Sequence, residues 1–302
     1  MHSARESWFL LLSIPFYTIL IGMEILMSNW GEKRFYTLKE TFQNVYLCIA
    51  NAGLDLLLRG LFYISVLVWF YDHRFFVIEN PYLYWFLLFI FEDLVFYVEH
   101  RVEHYSRVFW AVHVTHHSSD EYNLTTGFRS SVFQPVYRFV YLSPLALMGF
   151  HPLDIVFMYS LTQTYGILVH TQYVKKMPAW FESVFVSPAH HRVHHASNIP
   201  YLDKNMGMCL IIWDKMFGSF QEEIDCEPAR FGLVKPIGNK YNPVQVIFHE
   251  WKSIWADLRR PLPLSTRLKY VFMPPGWSHD GSSKTAEQMR KEYVIPTQPA
   301  NP

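Results

Sequence analysis

The stretch FEDLVFYVEHRVEH, residues 91–104, joins an apolar run to two histidines four residues apart. At about 100° per residue, a spacing of four places His100 and His104 on one side of a helix. The patterns HVTHH at 113–117 and HRVHH at 191–195 contain histidines three and four residues apart. Eleven of the fifteen histidines lie between residues 100 and 195. The sequence therefore predicts helices that direct their histidines to a common site.

These three clusters contain the residue type that most often binds transition metals. Neutral imidazole is a common metal ligand, and nitrogen-rich sites suit iron, zinc or copper. A single histidine is more often an ordinary core or surface residue, but three clusters at helical spacing favour metal binding. Eight imidazoles are enough for two ions with open coordination positions. The candidate ligands are His100, His104, His113, His116, His117, His191, His194 and His195.

The cysteines narrow the chemistry of this candidate site. Cys48, Cys209 and Cys226 lie far apart and outside any CxxC pattern, which argues against a disulfide framework or a thiolate-bound zinc ion. The predicted ligands are therefore imidazoles, with carboxylates in support.

The remaining composition indicates a membrane protein. Hydrophobic residues make up 51% of the chain and aromatic residues 18%, and they are clumped in long runs. Three runs cover residues 8–27, 46–71 and 82–98, and a hairpin at 139–169 turns at GFHP, residues 149–152. We expect an all-α integral membrane bundle of four or five hydrophobic helices, with a histidine-rich helical cap. The first run has no small-residue cleavage site after it, so we expect an uncleaved span.

Basic residues suggest the orientation of this bundle. The loop after the first run carries Lys33, Arg34 and Lys39, which the positive-inside rule places in the cytoplasm. The next two spans then bring all three histidine clusters to the cytoplasmic side. We expect a multi-pass protein of the endoplasmic reticulum in a eukaryote, or of the inner membrane in a bacterium. The formal net charge of zero gives no indication of nucleic-acid binding.

Several charged residues fall within the apolar runs. Asp55 and Arg59 share one helix face, and we expect a structural ion pair between helices, since unpaired charges are costly there. Asp93 and Tyr97 lie on the stripe that leads to His100, so Asp93 is predicted to accept an N–H from a ligating imidazole and orient it. The alternative is a pair between Asp93 and Arg59.

Two further carboxylates lie near the same stripe. Glu92 and Glu103 have a less favourable helical position than Asp93, and we rank them below it.

The chain divides by composition into three parts. Residues 1–222 are predicted to form the membrane-embedded domain, 223–280 an amphipathic or interfacial region, and 281–302 a disordered tail. Between Val244 and Leu258 the apolar residues recur with a period of about 3.6, with basic residues beside them. Such a helix fits the core of the protein or the headgroup layer of a membrane.

Several blocks resemble the fatty acid hydroxylase/sterol desaturase superfamily. In order they are FEDLVFYVEHRVEH, HHSSDEYNLTTGFR, SPAHHRVHHASN, YLDKNMG and IIWDKMFGSF, within residues 85–222. The motifs HHSS-x-x-YNL and IIWDKMFGSF are most similar to those of the alkylglycerol monooxygenase-like branch. The resemblance implies a cytosol-facing dimetal site, normally di-iron in the active enzyme, with O2 as co-substrate. Zinc can replace iron in a purified protein of this kind.

The resemblance also carries over to individual residues. It implies that the eight histidines are ligands and that His170 is a ninth. His190 is expected to form hydrogen bonds rather than bind metal. Asp203 and Asn205 are expected to orient imidazoles of the third cluster, with a plain turn as the alternative. For Tyr122, Asn123 and Arg129, contact with a lipid headgroup is one interpretation and a structural role is the preferred one.

The sequence thus predicts an O2-dependent hydroxylase that acts on an unactivated C–H bond of a lipid, either an ether lipid, a sterol or a fatty acyl chain. Without a haem-binding or ferredoxin-like segment, electrons must come from a separate reductase, cytochrome, ferredoxin or reduced pterin. A desaturase with the same site is the alternative within this class. A non-catalytic metal-binding membrane protein is the alternative of another class. A transporter would need ionisable residues along its spans, whereas these histidines gather at span ends.

Overall fold

The computed structural model describes residues 2–294, and within that range the chain is helical. The described residues form no β-sheet, and a single antiparallel bridge joins Phe185 to Leu210. Three stretches are long and apolar enough to cross a membrane, namely Arg5–Trp30, Leu38–Asp72 and Pro81–Tyr105. The predicted all-α membrane bundle is confirmed.

The bundle contains the following long apolar elements. Helix α1 is His2–Trp30, α2 is Leu38–Leu58, α3 is Ile64–Asp72, α4 is Pro81–Tyr105, and one π-helical turn, Arg59–Tyr63, joins α2 to α3. Local sequence explains where α4 begins, because Pro81 needs no N–H partner there and Asn80 accepts hydrogen bonds from the N–H groups of Tyr82 and Leu83.

A helical hairpin completes the bundle. After α5 (Arg107–His117), helix α6 (Pro135–Leu147) runs away from the histidines and α7 (Pro152–Leu168) returns towards them. Gly149 adopts a φ of +101° at the turn, and a Cβ there would lie 2.2 Å from the carbonyl oxygen of Phe76. The turn therefore requires glycine at this position.

Shorter helices lie at the histidine end of the bundle. They are α8 (Ala179–Val184), α9 (Pro188–His195) and α10 (Ile212–Phe217), with 3₁₀ turns at Leu124–Phe128 and Ile199–Tyr201. The ends of α4 and α7, all of α5 and all of α9 meet in this region. The fold thus collects the three histidine clusters at one end of the bundle.

Ion pairs join the helices where the sequence predicted them. Nη1 of Arg59 lies 2.5 Å from Oε1 of Glu6 on α1, and its Nε lies 2.5 Å from Oδ2 of Asp55. Asp55 also pairs with Arg138 of α6 at 3.1 Å. The expected ion pair between helices is confirmed. Asp93, the alternative partner of Arg59, instead accepts hydrogen bonds from residues 209–213.

Arg129 is a second buried charge and has a structural role. Its side chain is fully buried, and Nη1 donates to Oε2 of Glu40 at 3.1 Å and to Oδ1 of Asn44 at 2.9 Å. Its Nε donates to the carbonyl oxygen of Thr115 at 3.0 Å. The headgroup interpretation for Arg129 is wrong, because these bonds join α2 to the loop after α5 away from solvent.

The C-terminal part forms three further helices. They are α11 (Pro243–Leu258), α12 (Leu264–Phe272) and α13 (Ala286–Glu292). The prediction of a disordered tail is corrected at α13, where Thr285 and Gln288 form a capping box that satisfies the first N–H groups of the helix. Residues 295–302 lie outside the described residues. Arg192 pairs with Glu223 at 2.7 Å across the predicted boundary at 222, and that boundary stays a prediction.

We predict that Arg129→Met destabilises the fold, because it removes the buried cation that pairs with Glu40 and leaves that carboxylate only the more distant and more exposed Lys240. Breaking a buried ion pair by removing one partner costs about 3–5 kcal/mol. The thermal unfolding midpoint of the detergent-purified protein should fall clearly. The control is Lys240→Ala, which removes a more exposed cation that pairs with the same carboxylate at 3.4 Å. Equal midpoints for the two variants would contradict the prediction.

Candidate metal centre

Nine histidines come together in two adjacent groups. Within each group the candidate ligand atoms all lie within 4.8 Å of one another. The first group is His100, His104, His113, His117 and His194, and the second is His116, His170, His191 and His195. Each histidine that the sequence and the resemblance nominated as a ligand falls in one of these groups. All are buried except His116, which is half-buried.

The helices determine which histidines approach each other. Helix α4 supplies two histidines, α5 and α9 supply three each, and His170 follows directly after α7. Each group combines histidines from different helices, so both depend on the return of the α6–α7 hairpin. Helix α9 is also locally well defined, since Ser187 accepts a hydrogen bond from the N–H of His190, and the His190 ring accepts one from the N–H of Ser187.

His190 therefore caps the start of α9. Its Nδ1 accepts a hydrogen bond from the Ser187 N–H at 3.2 Å, and its ring packs on Phe220. It belongs to neither histidine group. This position fits the expectation that His190 forms hydrogen bonds rather than binds metal.

Backbone carbonyls hold several of the imidazole rings. A carbonyl oxygen can only accept, so the Nδ1 atom beside it carries the proton, and a neutral ring then keeps a lone pair on Nε2. The four such contacts are His100 to Met206 at 2.8 Å, His116 to Arg129 at 2.9 Å, His170 to Gly166 at 2.6 Å and His194 to Lys204 at 3.0 Å.

The Nε2 atoms converge at short distances. Nε2 of His100 lies 3.1 Å from Nε2 of His113, and Nε2 of His170 lies 3.0 Å from those of His191 and His195. Two lone pairs at this separation repel each other, whereas a cation between them would be attracted to both. Nε2 of His104 and Nε2 of His194 are buried with no hydrogen-bond partner in the described structure. The donor set fits metal ions.

Burial favours the neutral rings that such ligation requires. It lowers the pKa of His191, His194 and His195 well below the ordinary range of histidine. It also lowers the pKa of His170 to about 4. At neutral pH these rings therefore have a nitrogen lone pair available.

Glu103, which we ranked below Asp93 on its helical position, contacts one imidazole ring directly. Oε2 of Glu103 lies 2.9 Å from Nδ1 of His113, and Oε1 accepts from Gln134 at 3.0 Å and from the hydroxyl of Tyr137. Glu103 thus stands where a carboxylate orients a ligand and increases its basicity. Its position beside His104 was visible in the sequence, but its alignment with His113 depends on the turn between α4 and α5.

The prediction that Asp93 orients an imidazole is wrong. Asp93 accepts hydrogen bonds from the N–H groups of Cys209 at 2.8 Å and Leu210 at 3.1 Å, and from Nε1 of Trp213 at 2.9 Å. None of its hydrogen bonds within the described chain involves an imidazole or Arg59. Asp93 therefore anchors the segment after Met206, whose carbonyl oxygen accepts from His100.

Tyr97 has a similar role one turn later. Its hydroxyl lies 2.8 Å from Oγ of Ser219 and accepts from Nη1 of Arg101 at 2.9 Å. It therefore ties α4 to the segment after α10 and makes no hydrogen bond with an imidazole among the described residues.

The DKN block forms a turn, and its one contact with an imidazole in the described chain is to the first histidine cluster rather than to the third, where it was expected. Asp203 and Asn205 adopt left-handed φ values of +52° and +55°, as in a turn. Oδ1 of Asp203 also lies 3.1 Å from Nδ1 of His104. Asn205 instead donates to the carbonyl oxygens of His190 at 3.0 Å and Gln221 at 2.8 Å. Only Asp203 of this pair contacts an imidazole that could bind metal.

A cavity of about 780 Å³ opens onto the histidines. His104, His117, His194 and His195 form part of its wall. The rest of the wall comes from α5, the loop at 232–238 and the C-terminal helices. A molecule in this cavity can therefore approach both histidine groups.

This arrangement defines a helical membrane protein with a buried multi-histidine site whose donor atoms fit metal ions. Residues 85–219 match the model of the fatty acid hydroxylase family. That range contains all nine histidines of the two groups, so the chain carries a fatty acid hydroxylase domain.

Several curated proteins are similar to this chain. Alkylglycerol monooxygenase of Homo sapiens is 32% identical over 268 residues, 87% of this chain and 58% of the relative. The same enzyme of Danio rerio is 32% identical over 272 residues with the same coverage. Delta(7)-sterol 5(6)-desaturase of Saccharomyces cerevisiae is 28% identical over 147 residues, 47% of this chain and 37% of the relative. The chain spans 58% of the length of both monooxygenases. No solved structure matches significantly.

We predict that each histidine group binds its own ion. His194→Ala and His191→Ala each remove one ligand from a different group, so each purified variant should retain about half the metal of the unaltered protein. Elemental analysis by mass spectrometry gives the metal content per chain. His73→Ala, at the end of α3 and outside both groups, is the control and should retain the full content. Unchanged metal content in both ligand variants would show that these groups are not metal sites.

We predict that Glu103→Gln weakens metal binding, because loss of a carboxylate that orients a ligating histidine costs about 10- to 100-fold in metal affinity. The affinity can be measured by competition with a chromogenic chelator. Glu99→Gln is the matched control, since Glu99 is a buried acid one turn earlier on α4. If both variants bind metal as tightly as the unaltered chain, Glu103 does not position His113.

Proposed function

We propose that this chain is a membrane-bound di-iron oxygenase that uses O2 and external electrons to hydroxylate an unactivated C–H bond of a lipid. The convergence of nine imidazoles in two groups, inside a fatty acid hydroxylase domain, is the observation that carries the proposal. The similarity to alkylglycerol monooxygenases supports oxygenation of a lipid, either an ether lipid, a sterol or a fatty acyl chain.

The two histidine groups would hold one ion each. Five imidazoles surround one position and four surround the other, so the second group leaves more coordination positions open. When bound, the iron pair supplies the oxidising power that cleavage of a C–H bond requires.

The residues of this chain prepare the site in three ways. Carbonyl oxygens on the Nδ1 side turn Nε2 inward, as for His100 and His170. The carboxylates of Glu103 and Asp203 lie in the same way beside Nδ1 of His113 and Nδ1 of His104. Such partners raise the basicity of a ligating imidazole. The buried positions of these rings keep bulk water from the reacting centre, which strengthens electrostatic interactions there.

The orientation follows from the basic loop. Thr37, which precedes α2, donates its N–H to Glu121 at 3.0 Å, so Lys33 and Arg34 in the loop and Lys39 in the first turn of α2 lie at the histidine end of the bundle. By the positive-inside rule we place this end in the cytoplasm, in the endoplasmic reticulum or a bacterial inner membrane. Electrons would come from a separate donor there, either a reductase, a cytochrome, a ferredoxin or a reduced pterin. We assign the oxygenase domain to residues 1–222.

A desaturase is the second candidate, and the similarity to a sterol desaturase favours it. The same histidine site serves both outcomes, which differ in whether the substrate gains oxygen or loses hydrogen.

We predict that cells with the chain contain a lipid that has gained one oxygen atom, and that His116→Ala or His194→Ala abolishes this product. Either change removes a ligand nitrogen from one group. Lipid mass spectrometry with and without each variant measures the mass change, and His73→Ala is the control. A loss of two hydrogens instead indicates desaturation. Full product formation in either ligand variant would exclude this site as the reacting centre, and no new lipid in any strain would favour a non-catalytic metal protein.

A further inference from the structure

Helix α11 has three distinct faces, and the first packs on the protein core. Val246, Ile247 and Ile254 are buried on this face. Beside them, Glu250 and Asp257 turn inward to Arg107 of α5, at 2.6 Å and 2.7 Å. This face fixes α11 to the helix that carries the second histidine cluster.

The second face of α11 borders the cavity that opens onto the histidines. Gln245, His249 and Ser253 line that cavity. At about 100° per residue, these residues lie on a side of the helix separate from the buried apolar residues. The position of α11 therefore sets the shape of the cavity wall.

The third face is apolar and exposed. Val244, Phe248 and Trp255 have exposed fractions of 55%, 38% and 60%. A further exposed row follows on α12, with Leu264, Leu268 and Phe272 at 61%, 44% and 60%. Clustered exposed apolar residues of this kind mark an interaction site.

The apolar face continues the surface of the membrane bundle. Val246 and Ile247 of α11 pack with Leu47 of α2, and the rings of Phe248 and Phe133 lie 5.7 Å apart. The α2–α3 stretch is 35 residues long, whereas a bilayer core needs about 20. Its first turns bind the loops around the histidine site, so α2 reaches the bilayer close to the level of Leu47.

The charges beside the apolar row are basic. Lys252 and Arg259 are exposed at its edge, and the guanidinium of Arg259 lies 5.4 Å from the ring centre of Trp255. Lys269 of α12 is also exposed. The acidic residues Glu250 and Asp257 are committed to Arg107. Apolar residues flanked by cations are typical of helices that lie in an anionic headgroup layer.

We propose that α11 and α12 lie in the headgroup layer of the bilayer that holds the spans, with the row from Val244 to Phe272 inserted among anionic lipids. The cavity face of α11 then stays fixed above the histidines by the membrane on one side and by Arg107 on the other. This inference requires only that the spans cross a membrane, and it holds whether or not the histidine site oxidises a lipid.

Spin labels test this position directly. Trp255→Cys and Leu268→Cys place a nitroxide on the apolar row, and Lys291→Cys places one on exposed α13, outside that row. The background carries Cys48→Ser and Cys226→Ser, while Cys209 is buried and is kept. The protein is measured in nanodiscs of phosphatidylcholine and phosphatidylserine, with oxygen and a water-soluble nickel complex as relaxing agents.

We expect the ratio of oxygen to nickel accessibility to be several-fold higher at positions 255 and 268 than at position 291. Equal ratios at all three positions would overturn the proposal, because the apolar row would then face water. Dipolar broadening between labels at position 255 on two chains, lost on dilution with unlabelled protein, would also overturn it, since a second copy would then cover this face.

Discussion

Two imidazole lone pairs held 3.1 Å apart, as between His100 and His113, repel each other unless a cation lies between them. This constraint governs the histidine end of the molecule. An acceptor on the Nδ1 side of a ring keeps the lone pair on Nε2, and the fold supplies carbonyl oxygens or carboxylates at this side of six of the nine rings. The surrounding structure therefore positions the Nδ1 side of these rings as well as the Nε2 side that faces the candidate metal site.

A chain of hydrogen bonds shows how far this organisation extends. The carbonyl oxygen of Met206 accepts from His100, and the N–H of Met206 donates to Asp214 at 2.7 Å. Asp214 accepts from Ser219 at 2.6 Å, and Ser219 contacts Tyr97 on α4. Residues that never touch a ligand thus determine the position of one. Buried polar groups of this kind are stable only when each partner is satisfied.

The membrane bundle and the C-terminal helices act on opposite sides of this centre. The hairpin α6–α7 returns the chain so that α9 meets α4 and α5, and it ends beside His170. On the other side, Arg107 ties α5 to α11, which borders the cavity above the histidines. Access to the centre is therefore a property of the C-terminal helices, while the ligand set is a property of the bundle.

Sequence alone determined the apolar helices, the helical spacing of the histidines and the nine candidate ligands, because these depend on periodicity, local composition and family resemblance. It also drew attention to Asp203, but the imidazole that Asp203 contacts is His104 of the first cluster and not one of the third. Tertiary structure decided the division into five and four histidines, the choice of Glu103 rather than Asp93 beside an imidazole, and the helix in the supposed tail. The first two depend on contacts between separate segments of the chain, because Asp93 meets residues 209–213 whereas Glu103 meets His113 of α5. Backbone carbonyl acceptors carry no sequence signal, because every residue has one and only the fold selects which of them meets a ring.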